Sequence, residues 1–227
     1  MTETPVVADP ALAQKRLAQL FATPVLEYEW PESAALNERL RAVILAQEQQ
    51  DGGEVRSNAG GWHSKSDLDR WAGPAGQELI GRIGAQINQA TALYYRQTGG
   101  KDAIRWRLSL WANVNRNGQF NRVHIHPGCT WSGVYYVDPG DAPADGMADS
   151  GAFVLQHPNL GAVMSFFPDL TPQSFAVQPR PGLCLVFPSY LPHEVYPYRG
   201  QRPRISVAFN AKREAVSTTD ADRPQKP

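Results

Sequence analysis

Two histidines separated by a single residue, His124-Ile125-His126, stand just before a Pro127-Gly128 turn, and a third, His193, opens a later short run. In a β-strand, residues two apart project to the same face, so both imidazoles of the pair would enter one space. Neutral imidazole is the commonest metal ligand among side chains. A pair plus one distant histidine covers one face of an ion and leaves the other open, which suits a reactive site better than a sealed structural one. Ligand softness alone does not choose among Fe(II), Zn and Cu. The chain has five histidines, and the other two are weaker candidates. His63 sits in a glycine-rich run, where a loop or capping role competes with substrate contact. His157 precedes Pro158 and reads as a non-catalytic loop residue.

A second constellation follows His193. In Arg204-Ile205-Ser206-Val207-Ala208-Phe209 the guanidinium of Arg204 and the hydroxyl of Ser206 share one strand face. Such a pair can bind a carboxylate, bidentately through the guanidinium and with one further donor from the hydroxyl. Arg202 has the same parity and is the rival, but Pro203 points to a regular strand that starts after it. Trp111 and Asn113 also share a strand face and form a coherent candidate pair for the pocket wall. Asn121 and Trp131 are further pocket candidates, with a turn role competing for Asn121 and core packing competing for both tryptophans.

The elements that must position these groups change character partway along. The front of the chain, about 20–103, reads as helical: Leu36, Leu40, Val43 and Ile44 recur at helical spacing, as do Leu79, Ile83, Ile87, Ala90 and Tyr94. Between them lies a turn-rich loop, Ser57-Asn58-Ala59-Gly60-Gly61-Trp62-His63-Ser64. From about 104 to 212 short β-type runs alternate with turn residues. They are Trp106 to Val114, Arg122 to His126, Ser132 to Val137, Ala152 to Gln156, Ser174 to Val177, Leu183 to Phe187, Glu194 to Tyr196 and Arg204 to Phe209. Eight short strands with regular punctuation predict a two-sheet jelly roll, shared by cupins, with the helices packed outside one sheet. The class is therefore α+β, mainly β. One domain over 1–227 is expected, with disordered tails at 1–10 and 215–227.

Charge narrows the partners. Lys plus Arg equals Asp plus Glu at 22 each, so nothing marks a nucleic-acid or membrane footprint. The N-terminus lacks a basic signal-like region followed by an apolar run, and a cytoplasmic protein is expected. Cys129 and Cys184 read as reduced thiols rather than a disulfide framework. Oligomeric state is left open, a homo-oligomer included.

In this order the residues resemble the Fe(II)/2-oxoglutarate-dependent oxygenases, and more closely a bacterial and phage subgroup of them. The resemblance runs through Ser57-Asn58-x-Gly60-Gly61-Trp62-His63-Ser64, Trp111-Ala112-Asn113-Val114 and Asn121-x-x-His124-x-His126-Pro127-Gly128. It continues through Ser132-Gly133-Val134-Tyr135-Tyr136, Phe187-Pro188-Ser189, His193 and Arg204 to Asn210. It implies a double-stranded β-helix, a jelly roll, working with Fe(II), 2-oxoglutarate and O2 on a small-molecule or peptide substrate. It implies metal ligation by His124 and His193, with Arg204 and Ser206 on the far carboxylate of 2-oxoglutarate and Tyr136 sharing that role. The wider superfamily has an acid where this chain has His126. An imidazole there leaves the metal centre more positive by one unit, and Asp138 or Asp141 could in principle supply a carboxylate instead. Hydroxylation with release of succinate and CO2 is the expected reaction. A cupin-like three-histidine metalloenzyme without a 2-oxo acid, and a non-enzymatic jelly-roll binding module, are the alternatives. A halogenase is disfavoured because His126 fills the position that those enzymes leave vacant for chloride.

Overall fold

The computed structural model describes residues 22–98, 104–141, 146–159, 161 and 172–214. The predicted tails, 1–10 and 215–227, lie outside the described residues. Two antiparallel sheets face one another. The larger has six strands in the order β1 (Leu26–Glu29), β9 (Leu183–Pro188), β6 (Trp131–Asp138), β11 (Arg204–Arg213), β4 (Trp106–Asn115) and β3 (Trp62–His63). The smaller has five: β2 (Asn58–Ala59), β5 (Phe120–His124), β10 (His193–Val195), β7 (Phe153–Gln156) and β8 (Ser174–Val177). This is the jelly roll expected from the strand pattern, closed as a double-stranded β-helix.

Side-chain alternation gives the two faces of the large sheet different roles. On β11, Ile205, Val207, Phe209 and Ala211 face a core shared with the helices, while Arg204, Ser206, Ala208 and Asn210 line the space between the sheets. On β4, Leu110, Ala112 and Val114 take the helix side, and Ser109, Trp111 and Asn113 the inner side. The helices α1 (Ala34–Gln50) and α3 (Gly73–Thr98) bury the apolar stripe read from sequence: Leu36, Leu40 and Ile44 of α1 with Leu79, Ile83, Ile87 and Ala90 of α3. A second apolar cluster between the sheets, including Tyr136, Phe153, Leu155, Leu185 and Phe187, fills the closed part of the sandwich.

All eight predicted strands are present, with ends shifted by a few residues. The front third holds the two predicted helices but is not only helical: the short strands β1, β2 and β3 and the one-turn helix α2 (Leu68–Trp71) also lie there. β1 is only four residues long and adds to the edge of the large sheet beside β9. The segment read as a loop contains β2 and β3, which join different sheets: β2 pairs with β5 and β3 with β4. Two-residue strands have no periodicity to read, so nothing local distinguishes them from a turn.

Gly133, in the middle of β6, shows how tightly the large sheet is packed. A Cβ there would collide with the Phe209 ring and with the backbone carbonyl of Leu185. A carbonyl held in a ladder cannot move aside as a flexible side chain can. Gly133→Ala is therefore expected to destabilise the chain by about 3 kcal/mol, read as a fall in its denaturation midpoint at unchanged slope.

Candidate metal centre

The histidines meet at the open end of the sandwich. β10 pairs with β5 so that His193 lies opposite His124, which sets these two imidazoles side by side with ring centroids 4.3 Å apart. β5 ends at His124 rather than continuing through His126, and the chain then enters the Pro127-Gly128 turn. His126 reaches the same place from outside the strand, its backbone N–H donating to Ser189 O at 3.0 Å. Its ring lies 5.0 Å from that of His124 and 5.1 Å from that of His193. One potential ligand atom from each of the three lies within 4.8 Å of the others.

Two of the rings are oriented by the backbone. His124 Nδ1 donates to Arg122 O at 2.7 Å, and His193 Nδ1 donates to Leu191 O at 2.8 Å. A carbonyl that takes the Nδ1 proton leaves Nε2 unprotonated, the arrangement typical of a metal-binding histidine; that of His124 lies 3.5 Å from the Ser57 hydroxyl. Phe153 and Phe187 pack against His193 and leave it 4% exposed. Burial holds the ring of His124 below its ordinary pKa. It lowers His126 to about 4 and His193 to about 3, with the neighbouring imidazoles adding to the effect. All three are therefore neutral, and able to ligate, at neutral pH.

A cavity of about 570 Å³ opens beside them. Its deep wall holds Arg204, 1% exposed, with the guanidinium carbon 5.3 Å from the centre of the Tyr136 ring. Among the described residues, Arg204 Nε and Nη2 and the Tyr136 hydroxyl are buried without a hydrogen-bond partner. Burial depresses the guanidinium pKa and pushes the Tyr136 phenol up to about 12, so the phenol stays protonated. Gly151 leaves room for this arginine, since a Cβ there would come within 3.2 Å of Arg204 Cδ. A buried cation with no partner is costly, and an anion entering this end of the cavity would remove that cost. Ser206, next along the same face, lines the cavity as well.

Trp111, Asn113, Asn121 and His63 also line this cavity. Trp131 and Arg202 do not. The Trp131 indole donates to Thr91 Oγ1 at 3.0 Å and belongs to the core beneath the helices. Arg202 is exposed, and it donates to Gly140 O at 2.7 Å and pairs with Asp138 at 3.7 Å. Pro203 interrupts the strand between it and Arg204. The alternative carboxylates are elsewhere too: Asp138 pairs with Arg41, and Asp141 accepts from the Tyr198 hydroxyl. Among the described residues no Asp or Glu lines the cavity. His157 caps a turn by accepting from the Asn159 N–H. Cavity residues that sequence reasoning missed include Ser109, which has the parity of Trp111 within the predicted strand, and Asn210, which has that of Ser206 one residue past the predicted strand end. Arg122, which shares the parity of His124 in the predicted strand, was missed too, while Arg56 also lines the cavity and carries no such signal.

Residues 109–210 match the model of a family described as "Putative 2OG-Fe(II) oxygenase". No curated protein sequence matches the chain. Among solved structures it is similar to a prolyl-4-hydroxylase from Pseudomonas putida, at 18% identity and TM-score 0.58, covering 90% of this chain and 96% of that one. It is similar to a prolyl hydroxylase from Trichoplax adhaerens in complex with a hypoxia inducible factor oxygen degradation domain peptide fragment, at 15% identity and TM-score 0.58, covering 83% of each chain. It also resembles HygX from Streptomyces hygroscopicus with nickel and 2-oxoglutarate bound, at 16% identity and TM-score 0.51, covering 84% of this chain and 83% of that one. At such identities the likeness is one of fold.

The depressed histidine pKa values carry a consequence for stability. Unfolded, each imidazole takes up a proton as the pH falls through about 6.5, whereas in the fold His126 stays neutral down to about 4 and His193 to about 3, and His124 is lowered in the same direction. The unfolded state then binds more protons, and stability is lost as the pH falls. Thermal unfolding of the metal-free chain is expected to move to lower temperature between about pH 6.5 and 4, and less steeply in His193→Gln.

Proposed function

We propose that the chain, whose residues 109–210 match the model of a 2OG-Fe(II) oxygenase family, is such an oxygenase and hydroxylates a polar small-molecule or peptide substrate with release of succinate and CO2. In this reading His124, His126 and His193 hold Fe(II) through ring nitrogens that burial keeps neutral. Arg204 and Ser206 take the far carboxylate of 2-oxoglutarate, and the Tyr136 hydroxyl offers that carboxylate a further donor. When bound, iron with 2-oxoglutarate and O2 supplies the oxidising power for C–H hydroxylation. The protein's own contribution is to bind and orient the reactants and to limit water, and no protein general base is required.

The observation that carries this reading is the buried guanidinium of Arg204 with two unpartnered donor nitrogens, on the same cavity wall as Ser206. A diacid able to reach from that guanidinium to the histidines satisfies both ends of the cavity. The cavity wall bears arginines and neutral polar groups, with no carboxylate among the described residues. That lining favours neutral or anionic substrates over cationic ones. The peptide held by the Trichoplax enzyme makes a peptide one of the two substrate forms to test first.

The all-imidazole ligand set favours a second reading, a cupin-like three-histidine enzyme that needs no 2-oxo acid. Arg204→Met separates the two, because it removes the charge while filling the space. Replacing a buried unpaired charge with an apolar side chain leaves the metal-free chain at least as stable. Under the first reading this variant loses about 100-fold or more in 2-oxoglutarate affinity, and succinate formation falls with it. Anaerobic Fe(II) titration with 2-oxoglutarate gives a visible charge-transfer band in the parent and none in the variant at the same cosubstrate concentration. Equal bands, or equal succinate formation, would overturn the assignment of Arg204.

A further inference from the structure

His126 differs from the other two histidines in how its ring is held. His124 and His193 each commit one nitrogen to a backbone carbonyl. Among the described residues no hydrogen bond reaches either ring nitrogen of His126. Its ring rests instead against the Trp111 indole, with centroids 5.5 Å apart. Trp111 is in turn stacked on His63, at 5.6 Å and an interplanar angle of 15°.

His63 is itself firmly placed. It is 6% exposed, lies opposite Asn113 in the pairing of β3 with β4, and donates from Nδ1 to Ser64 O at 2.7 Å. Ser64 is tied twice to Ala112, the residue beside Trp111. Its N–H donates to Ala112 O at 2.9 Å, and its hydroxyl accepts from the Ala112 N–H at 2.9 Å. The earlier part of the same segment is braced against the other sheet. Arg122 N–H donates to Ser57 O at 2.9 Å, and the Asn58 amide donates to Gly61 O at 2.6 Å across the turn.

We infer that Trp111, backed by His63, is the positioning residue for His126. Aromatic packing does for this histidine what a carbonyl hydrogen bond does for the other two. The inference rests on the reading of the three histidines as metal ligands. It also gives the motif Ser57 to Ser64 a role, since this segment carries the backing ring to Trp111 while bridging the sheets on either side of the metal position. A hydrogen bond fixes both tautomer and orientation, whereas packing fixes orientation alone. His126 is therefore the ligand whose geometry a neighbouring side chain can spoil.

The test uses the full chain and cobalt(II) alone, followed by its visible d–d absorption, with no substrate or cosubstrate. His63→Ala and Trp111→Leu are expected to bind cobalt(II) about 10- to 100-fold more weakly than the parent, the range of losses when the support of a metal ligand is removed. Their cobalt spectra should also change, since the coordination geometry relaxes. His63→Phe keeps a ring for stacking but cannot donate to Ser64 O, and it is expected to recover most of the affinity and the parent spectrum. Melting curves without metal identify any variant that does not fold. Should Trp111→Leu be one, the two His63 variants carry the test. Parent-like affinity and spectrum in His63→Ala would overturn the inference, as would a His63→Phe no better than His63→Ala. His193→Ala serves as the separate control: if it binds cobalt(II) like the parent, the metal reading itself is lost, whatever the His63 variants do.

Discussion

The register between β10 and β5 is the constraint on which the centre of this molecule depends. Setting His193 opposite His124 brings together two imidazoles that are far apart in the chain. Because side chains alternate along a strand, a slip of one residue would send one of the two to the other face. Several features hold the register in place. β10 is paired on its other side with β7, where His193 lies opposite Leu155. Phe153 and Phe187 pack around the His193 ring, so a shifted strand would lose an apolar contact as well as the meeting of the two imidazoles.

Around that pairing the cavity is divided electrostatically. At one end are three imidazoles that burial keeps uncharged, and at the other a guanidinium that has no charge partner among the described residues. Among the described residues no carboxylate in the lining compensates either end. The cavity is therefore a region of positive potential, stronger once a divalent ion is present. A dianion that spans the two ends is the natural counterpart. The small sheet supplies two of the histidines and the large sheet the arginine, so the two halves of this arrangement are held together by the packing of the sandwich rather than by one segment of chain.

Much of this was legible from residue order because alternation is strict where a strand is buried on both faces. Arg204 with Ser206, and Trp111 with Asn113, were assigned a common face from parity, and both pairs line the cavity. Parity failed where the regular strand ended. His126 lies beyond β5, so its arrival beside His124 owes nothing to strand geometry and depends on the turn and on Ser189. Trp131 has no parity signal that separates a core indole from a cavity indole, and the structure sends it to Thr91. The division of Ser57 to Ser64 between two sheets was illegible for a different reason. Each strand is two residues long, and the pairing partners lie more than 40 residues away.

The position of β11 bears on how the chain reaches this state. It lies between β6 and β4 in the large sheet, although it is the last strand in sequence among the described residues. Until it inserts, β6 and β4 have an unpaired edge each, and the apolar faces meant for the helices are incomplete. During synthesis the histidine-bearing segments leave the ribosome first, while the strand that joins the two halves of the large sheet arrives last. Non-local pairing of this kind is slow and leaves strand edges open to wrong partners in the meantime. The same late strand carries Arg204, so the arginine end of the cavity and the continuity of the main sheet are completed together.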